Sequence, residues 1–197
     1  MRLIRQMIPI AITLGLLFSS SAMAEGPSAL MLANTCAGCH GTNGSSHGPA
    51  TPTIAGLSTV YFVDAMKEYK EGTRPSTIMT RIAKGYSEEE FKLMADYFAK
   101  QKFVRRNQAY NESGANSGAS LHKSYCAKCH EDNGRASEDD TGVLAGQWKP
   151  YLTYTMKDFV DGTRSMDKKM KSKLTKLHEK YGDKGIDQLI DFYASQK

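Results

Sequence analysis

The stretch Cys36-Ala37-Gly38-Cys39-His40 recurs later in the chain as Cys126-Ala127-Lys128-Cys129-His130, and the two copies use all four cysteines. The pattern Cys-x-x-Cys-His is typical of covalent haem c attachment: each thiol forms a thioether with a haem vinyl group, and the histidine binds the iron. We therefore expect two covalently bound haem c groups. Their attachment residues are Cys36, Cys39, Cys126 and Cys129, and their proximal iron ligands are His40 and His130.

Other uses of such a cysteine and histidine cluster are poorly supported. A tetrahedral zinc site needs four ligands, and each copy lacks the second cysteine or histidine pair that would complete one. A thioredoxin-like redox site needs a βαβ pattern around its Cys-x-x-Cys, and neither copy has one. The motifs thus favour two haem groups over a zinc or disulfide site.

The first 24 residues have the pattern of a cleaved secretory signal peptide. Arg2 and Arg5 form a basic start, residues 8–18 are mostly apolar, and Ala22-Met23-Ala24 is a small-residue cleavage site. The apolar run is short for a bilayer span of about 20 residues, so an uncleaved anchor is the weaker alternative. We expect cleavage before Glu25, a periplasmic mature chain, and no membrane span within it.

The charge of the chain does not indicate nucleic acid as a partner. The formal net charge of +5 falls to +3 once Arg2 and Arg5 are removed with the signal peptide. Haem propionates would then bring the holoprotein close to neutral or slightly acidic. A basic surface suited to nucleic acid is not expected of such a protein.

The second half of the chain repeats the first in register. The offset between the two motifs, from position 36 to position 126, also relates four further pairs: Gly44 and Gly134, Tyr61 and Tyr151, Met66 and Met156, Arg74 and Arg164. Residues 95–99 match residues 190–194 at a larger offset, so the second copy carries five extra residues after Arg164. The chain is therefore a tandem duplication.

The duplication and the composition divide the chain into four segments. These are a signal peptide (1–24), a first haem domain (25–106), a linker rich in Asn, Ser and Gly (107–118) and a second haem domain (119–197). Each half has about 80 to 90 residues, which is small for a self-sufficient core. We expect a buried haem to supply part of the apolar interior of each half.

Apolar residues recur at helical spacing, and no stretch shows convincing strand alternation. Ser87 and Glu90 form a capping-box pattern that predicts the start of a helix. The side chains predicted to face inward from that helix are Phe91, Met94, Ala95 and Phe98, and those from its counterpart in the second copy are Ile186, Leu189, Ile190 and Tyr193. The sequence predicts an all-α fold.

Each iron needs a second axial ligand for stable electron transfer, and methionine suits this role because its thioether raises the potential. Met66, Met94 and Met156 lie on amphipathic helix faces, where a core position is the simpler interpretation. Met79 lies instead in the irregular stretch Pro75–Thr80 ahead of the capped helix. We expect Met79 to bind the first iron.

Met166 and Met170 compete for the same role in the second copy. Met170 lies 91 residues after Met79, one residue off the repeat register, whereas Met166 would require a deletion of three residues. We therefore favour Met170 and keep Met166 as the alternative.

The imidazole of an axial histidine is usually oriented by a hydrogen bond from its other ring nitrogen. Pro49 or Pro52 could supply a backbone carbonyl for His40, while the second copy has no equivalent proline. Further along, five lysines follow Met166 in a predicted helix: Lys168, Lys169, Lys171, Lys173 and Lys176. A solvated helix face is their simpler interpretation, and a docking surface for an acidic partner is the alternative.

With these residues placed, the chain resembles dihaem cytochromes c of the cytochrome c4 type over essentially its whole mature length. Gly72-Thr73-Arg74 and Leu144-Ala145-Gly146-Gln147 match internal landmarks of that family. It is more closely similar to the haem subunits of flavocytochrome c sulfide dehydrogenases, through residues 76–87, 144–148, 150–152, 168–170 and 192–196. The resemblance implies two tandem class I cytochrome c-like domains.

The resemblance also implies a function. Haem subunits of this kind form a heterodimer with a periplasmic, FAD-containing flavoprotein that oxidises sulfide, and they pass the electrons to a small acceptor cytochrome. This chain has no Gly-x-Gly-x-x-Gly after a strand, so FAD is expected only on the partner, and the chain is not expected to be an enzyme by itself.

Two rival functions follow from the same motifs. One is a free-standing cytochrome c4-like carrier that feeds a terminal oxidase. The other is a dihaem peroxidase, which needs an open or displaceable distal site on one haem. A credible methionine ligand in each copy argues against the peroxidase.

Overall fold

The computed structural model describes residues 26–139 and 141–197. The helices of the first copy are α1 (Ala29–Asn34), α2 (Ala37–His40), α3 (Thr59–Glu71), α4 (Met79–Ile82) and α5 (Glu88–Ala99). Those of the second copy are α6 (Glu112–Leu121), α7 (Glu131–Gly134), α8 (Lys149–Val160) and α9 (Lys168–Ser195), with a π-helical turn at His122–Cys126 after α6.

The all-α prediction is confirmed. Within the described ranges the only β-type pairing is an isolated antiparallel bridge between Glu138 and Thr141. None of the helices in those ranges is long and apolar enough to cross a membrane. The predicted signal peptide, residues 1–24, lies outside the described residues.

Several helices, including α3 and α5, begin where a side chain accepts a hydrogen bond from one of their first amide groups. Ser58 accepts a hydrogen bond from the backbone N–H of Tyr61 at the start of α3. The predicted capping box opens α5: the Glu90 amide donates to the Ser87 hydroxyl, and the Ser87 amide donates to the Glu90 carboxylate. At the other end, α3 terminates at Gly72, whose φ of 81° is left-handed and favours glycine.

The duplication is visible in matching backbone hydrogen bonds. The amide of Ile54 donates to the carbonyl of Gly44 at 2.8 Å, and the amide of Leu144 donates to that of Gly134 at 2.8 Å. In the same way, Gly56 binds the carbonyl of Phe98 and Gly146 binds the carbonyl of Tyr193. The two copies therefore share one local fold despite the five extra residues in the second.

Each copy has its own hydrophobic core, and both contain the predicted side chains. The first core includes Leu32, Phe62, Met66, Phe91, Met94 and Phe98. The second includes Leu121, Leu152, Leu177, Ile186, Leu189, Ile190 and Tyr193. The half-buried cysteines Cys36 and Cys126 pack against the first and second cores respectively, so each haem attachment motif begins at the edge of a core.

The expected linker, residues 107–118, is not irregular throughout. Its second half belongs to α6, which the side chain of Asn111 caps by accepting a hydrogen bond from the amide of Gly114. Composition did not reveal this helix because the glycines of α6 allow close helix packing: a Cβ at Gly118 would overlap the carbonyl oxygen of Gln188 in α9. The segment is therefore part of the second domain's packing.

The two domains meet in an interface built from polar and apolar contacts. The Thr53 amide donates to the Gln147 side-chain oxygen, and the Gln147 side-chain nitrogen donates to the Thr53 carbonyl, both at 2.9 Å. Beside this pair, Leu57 and Phe103 of the first domain pack against Val143 of the second. Because Thr53 and Gln147 are both buried, this reciprocal pair fixes the relative placement of the domains.

Candidate haem sites

The first attachment motif folds as a single helical turn after α1. The amides of Cys39 and His40 donate to the carbonyl of Cys36 at 3.2 and 2.9 Å. Cys36 is half-buried and Cys39 is exposed, and neither forms a disulfide. Burial raises the pKa of the Cys36 thiol. The turn places both thiols and the imidazole within one short segment, as a haem attachment motif requires.

His40 is held in a defined orientation by the backbone. Its ring is buried, and Nδ1 lies 2.8 Å from the carbonyl oxygen of Pro52, so Nδ1–H donates and Nε2 carries the lone pair. Burial lowers the pKa of His40 more than this hydrogen bond raises it. The imidazole is therefore neutral at neutral pH, which is the metal-binding form. Of the two prolines considered, Pro52 supplies the carbonyl.

The second attachment motif follows the π-helical turn. The amides of Cys129 and His130 donate to the carbonyl of Cys126 at 3.1 and 3.0 Å, as in the first copy. Cys126 is half-buried and Cys129 is exposed. Burial raises the pKa of the Cys126 thiol to about 11. The two motifs therefore share the same backbone hydrogen bonds to their first cysteine.

The second motif has a polar support that the first lacks. His122 is buried, its Nδ1 lies 3.0 Å from the hydroxyl of Tyr193, and that hydroxyl also contacts the sulfur of Cys126. In the first copy the corresponding positions are Leu32 and Phe98. Sequence patterns alone do not predict this contact, because His122 lies outside the attachment motif. The signal in the sequence is that both apolar residues of the first copy, Leu32 and Phe98, are replaced in the second copy by residues that can hydrogen-bond to each other.

Met79 lies at the start of α4, in the loop where a distal ligand was expected. Its amide donates to the hydroxyl of Ser76 at 2.8 Å. The half-buried side chain packs against the first core, as does Cys36. By contrast, Met66 and Met94 are buried within that core. The loop therefore presents Met79 to the same cluster that the attachment motif reaches.

The second copy repeats this loop arrangement at Asp167 and Met170. Asp167 caps α9, and its carboxylate accepts hydrogen bonds from the amides of Lys169 and Met170, the first at 2.7 Å. These bonds lower the pKa of Asp167. Asp167 precedes Met170 by the same three positions that separate Ser76 from Met79. This correspondence favours Met170, because Met166 lies ahead of the cap.

Two arginines and two tyrosines related by the repeat meet at the domain interface. Arg74 is 4% exposed, and its guanidinium donates to the hydroxyl of Tyr151 in the second domain at 3.1 Å and to that of Tyr61 at 3.4 Å. Burial raises the pKa of Tyr61, but the adjacent Arg74 and Arg164 lower it overall. Each arginine thus contacts the tyrosine of the opposite domain. The repeat in the sequence relates the two arginines and the two tyrosines, but it does not show that each arginine contacts the tyrosine of the other domain.

These residues fit a covalently bound haem in each copy. Each motif offers two free thiols and a histidine, and each loop offers a half-buried methionine. The paired guanidinium groups at the interface suit carboxylates such as haem propionates, because arginine donates well-directed, charge-assisted hydrogen bonds. The described part of the chain has no cluster of three or more His, Cys, Asp and Glu side chains that could hold a metal ion without haem.

The contact between Arg74 and Tyr151 gives a stability prediction. Replacing Tyr151 with phenylalanine leaves the buried Arg74 guanidinium without one acceptor, which costs about 1.5–3 kcal/mol. For a chain of this size we expect the Tm of the holoprotein to fall by roughly 3–10 °C in a thermal melt. Tyr154→Phe is the control, since Tyr154 is 61% exposed on the same helix. An equal Tm for the two variants would contradict the interface contact.

Comparison with known proteins agrees with this geometry. The cytochrome c family profile matches residues 24–102. Over 71 residues the chain is 35% identical to cytochrome c-554(548) of Halomonas halodenitrificans, spanning 34% of this chain and 86% of that protein. It is 28% identical to the cytochrome c4 of Pseudomonas aeruginosa over 187 residues, 88% of this chain and 92% of the relative.

A further relative is the cytochrome subunit of sulfide dehydrogenase of Chlorobaculum tepidum. The identity there is 48% over 68 residues, which are 34% of this chain and 61% of the relative's length. Among solved structures, reduced cytochrome c4 from Pseudomonas stutzeri superposes with a TM-score of 0.73 and covers 87% of this chain and 100% of that one. At 23% identity this likeness shows the fold, two class I cytochrome c domains in tandem.

Proposed function

Since this chain belongs to the cytochrome c family and repeats its haem attachment motif, we propose that it is the electron-accepting subunit of a flavin-dependent sulfide dehydrogenase. A dihaem electron-transfer protein follows from the family and the duplicated motif. The sulfide dehydrogenase role is supported by the 48% identity to the Chlorobaculum tepidum subunit, which exceeds that to the cytochrome c4 relative. That identity is the observation that carries the proposal.

The residues of the chain have defined roles in this function. Haem c, when bound, accepts and releases one electron at a time at its iron. Cys36 and Cys39 hold one group and Cys126 and Cys129 the other, while Pro52 orients His40 through Nδ1. We propose His40 with Met79, and His130 with Met170, as the axial pairs.

The interface supports transfer between the two domains. The buried reciprocal pair of Thr53 and Gln147 and the contact of Arg74 with Tyr151 hold the domains in one arrangement. A fixed arrangement keeps the separation of the two haem groups constant. We expect electrons from a single donor to equilibrate between them faster than turnover, with FAD and sulfide oxidation on a partner flavoprotein.

A free cytochrome c4-like carrier that feeds a terminal oxidase is the second candidate. It is favoured by the extent of the likeness to cytochrome c4, which covers 92% of that relative, against 61% of the sulfide dehydrogenase subunit. The two candidates share the cofactors and the fold, and they differ in the donor and in whether a flavoprotein stays bound.

Reduction of the haems by sulfide distinguishes the two candidates. The purified oxidised holoprotein is mixed anaerobically with sulfide, with and without the flavoprotein from the same organism, and haem reduction is followed in the visible spectrum. We expect catalytic reduction of both haems only when the flavoprotein is present. Rapid oxidation of the reduced chain by a terminal oxidase, with no effect of any flavoprotein, would support the carrier instead.

A further inference from the structure

The first half of α9 carries a row of exposed lysines on one face. Lys169, Lys173, Lys176 and Lys180 follow one another at spacings of four, three and four residues, which places them along one side of a helix. We call these four residues the lysine stripe. All four are exposed, and within the described ranges none of them forms an ion pair.

The stripe concentrates positive charge within an otherwise acidic domain. Residues 168–184 contain seven lysines and two acidic residues, Glu179 and Asp183, for a net charge of +5. The remainder of the second half, residues 107–167 and 185–197, has seven basic and eleven acidic residues, for a net charge of −4. A solvated helix with mixed charges would not separate the two signs in this way.

The stripe lies beside the second attachment motif. Lys173 is close enough to Cys126 to lower the pKa of that thiol electrostatically, although burial raises it overall. Leu177, four residues after Lys173 on α9, is buried in the second core, against which Cys126 also packs. Tyr181 of α9 contacts Tyr125, the residue before Cys126, with ring centroids 6.3 Å apart. A partner bound to the stripe would therefore lie next to the second haem site.

The first copy has no equivalent surface. In the register that aligns Met79 with Met170, Lys169 and Lys173 correspond to Ile78 and Ile82, which are exposed apolar residues. The two domains therefore differ in surface character next to their methionine loops. This asymmetry indicates that the two domains meet different partners.

The chemistry of the stripe favours a protein over a membrane. A surface helix that binds lipid needs exposed apolar residues beside its lysines. Here the neighbouring leucines Leu174 and Leu177 face the second core, and α9 exposes no aliphatic side chain within the described ranges. Tyr181 is 39% exposed, with the Lys180 ammonium over its ring. An exposed cationic row with no exposed aliphatic neighbour suits a transient, electrostatically steered contact with a carboxylate-rich protein surface.

We propose that the lysine stripe is the docking site for a small acidic electron-acceptor protein, so that electrons leave this chain through the second domain. The proposal rests on the electron-transfer role proposed above. One electron passes from the reduced second haem to the oxidised centre of the acceptor, which is reduced by one electron, and no proton or bond is exchanged.

Charge reversal of the stripe tests this proposal. The variant Lys169→Glu, Lys173→Glu, Lys176→Glu is compared with Lys92→Glu, Lys100→Glu, Lys102→Glu, which changes the same number of exposed lysines in and just after α5. The probe is an acidic plastocyanin, and binding is measured by NMR titration of the holoprotein at low salt. We expect the stripe variant to bind about tenfold or more weakly and the control to bind nearly as the parent does.

A second readout distinguishes steering from general damage. The rate at which the prereduced holoprotein reduces plastocyanin should fall with ionic strength in the parent and the control, and should lose most of this dependence in the stripe variant. All proteins are first matched for haem content and Tm. Equal binding by the parent and the stripe variant, or equal weakening in the control, would overturn the proposal.

Three further outcomes are informative. If the parent binds vesicles of phosphatidylglycerol but not plastocyanin at the same ionic strength, the stripe is a membrane contact and the proposal fails.

Reduction by sulfide through the flavoprotein should be unchanged in the stripe variant, because the stripe is assigned to the acceptor. Loss of that reduction alone would assign the stripe to the donor instead. If no flavoprotein supports reduction of the parent while the stripe effect holds, the sulfide dehydrogenase role fails and the docking site stands.

Discussion

Replacing Cys126 and Cys129 together with alanine is expected to remove the second haem and to leave the first in place. The two motifs lie in separate domains with separate cores, so loading of the first motif does not require the thiols of the second. The covalently bound haem should fall from two groups per chain to one. A pyridine haemochrome assay normalised to protein, with a haem-stained denaturing gel, measures this change.

The reciprocal variant, Cys36→Ala with Cys39→Ala, is the matched control and should give the same haem content with the other domain loaded. Because each domain uses its haem as part of a small interior, the domain that lacks haem should also become sensitive to proteolysis. Loss of both haems from either variant would show that the domains do not load independently. Retention of two covalent haems would contradict the attachment sites.

Replacing Met170 with alanine is expected to lower the potential of the second haem by roughly a few hundred millivolts, within the ~0.8 V range over which axial ligands set haem potentials. The reason is the loss of the proposed thioether ligand, because a thioether raises the potential when it binds the iron. In the oxidised protein the weak near-infrared sulfur-to-iron band should fall to half its intensity. A spectroelectrochemical titration measures the potential of each haem.

Met166→Ala is the matched control, because Met166 is also half-buried and precedes the Asp167 cap. It should retain the full near-infrared band and both potentials. The opposite result, with the band halved in Met166→Ala and intact in Met170→Ala, would show that the loop of the second copy does not follow the register of Ser76 and Met79. Met79→Ala should halve the band by loss from the first haem.

Local patterns were enough to predict most of the fold. The capping box at Ser87 and Glu90, the inward faces of α5 and α9, and the duplication each depend on residues close in sequence or on a fixed offset. The capping box and the inward faces follow from helix geometry, which has a short period, and the duplication follows from residues repeated at a fixed offset. The linker prediction failed beyond Asn111 because a segment rich in small residues can be either flexible or tightly packed against another helix, and only the presence of α9 decides between them.

Parts of the candidate sites depend on contacts between residues far apart in the chain. Two prolines could have supplied the carbonyl that accepts a hydrogen bond from His40. The conformation of the loop after α2 places the Pro52 carbonyl there. The exchange of Arg74 and Arg164 with the tyrosines of the opposite domains follows from how the domains dock, which no repeat pattern specifies. The contact of His122 with Tyr193 likewise joins α9 to the turn before Cys126.

The most direct test of the central claim is purification of the tagged chain from its native cells under mild conditions, followed by measurement of flavin and haem in the purified material. The proposed function predicts a co-purifying flavoprotein with one FAD for every two haems, and reduction of those haems on addition of sulfide. A chain that purifies with both haems but without flavin, and that is oxidised rapidly by a terminal oxidase, would contradict it.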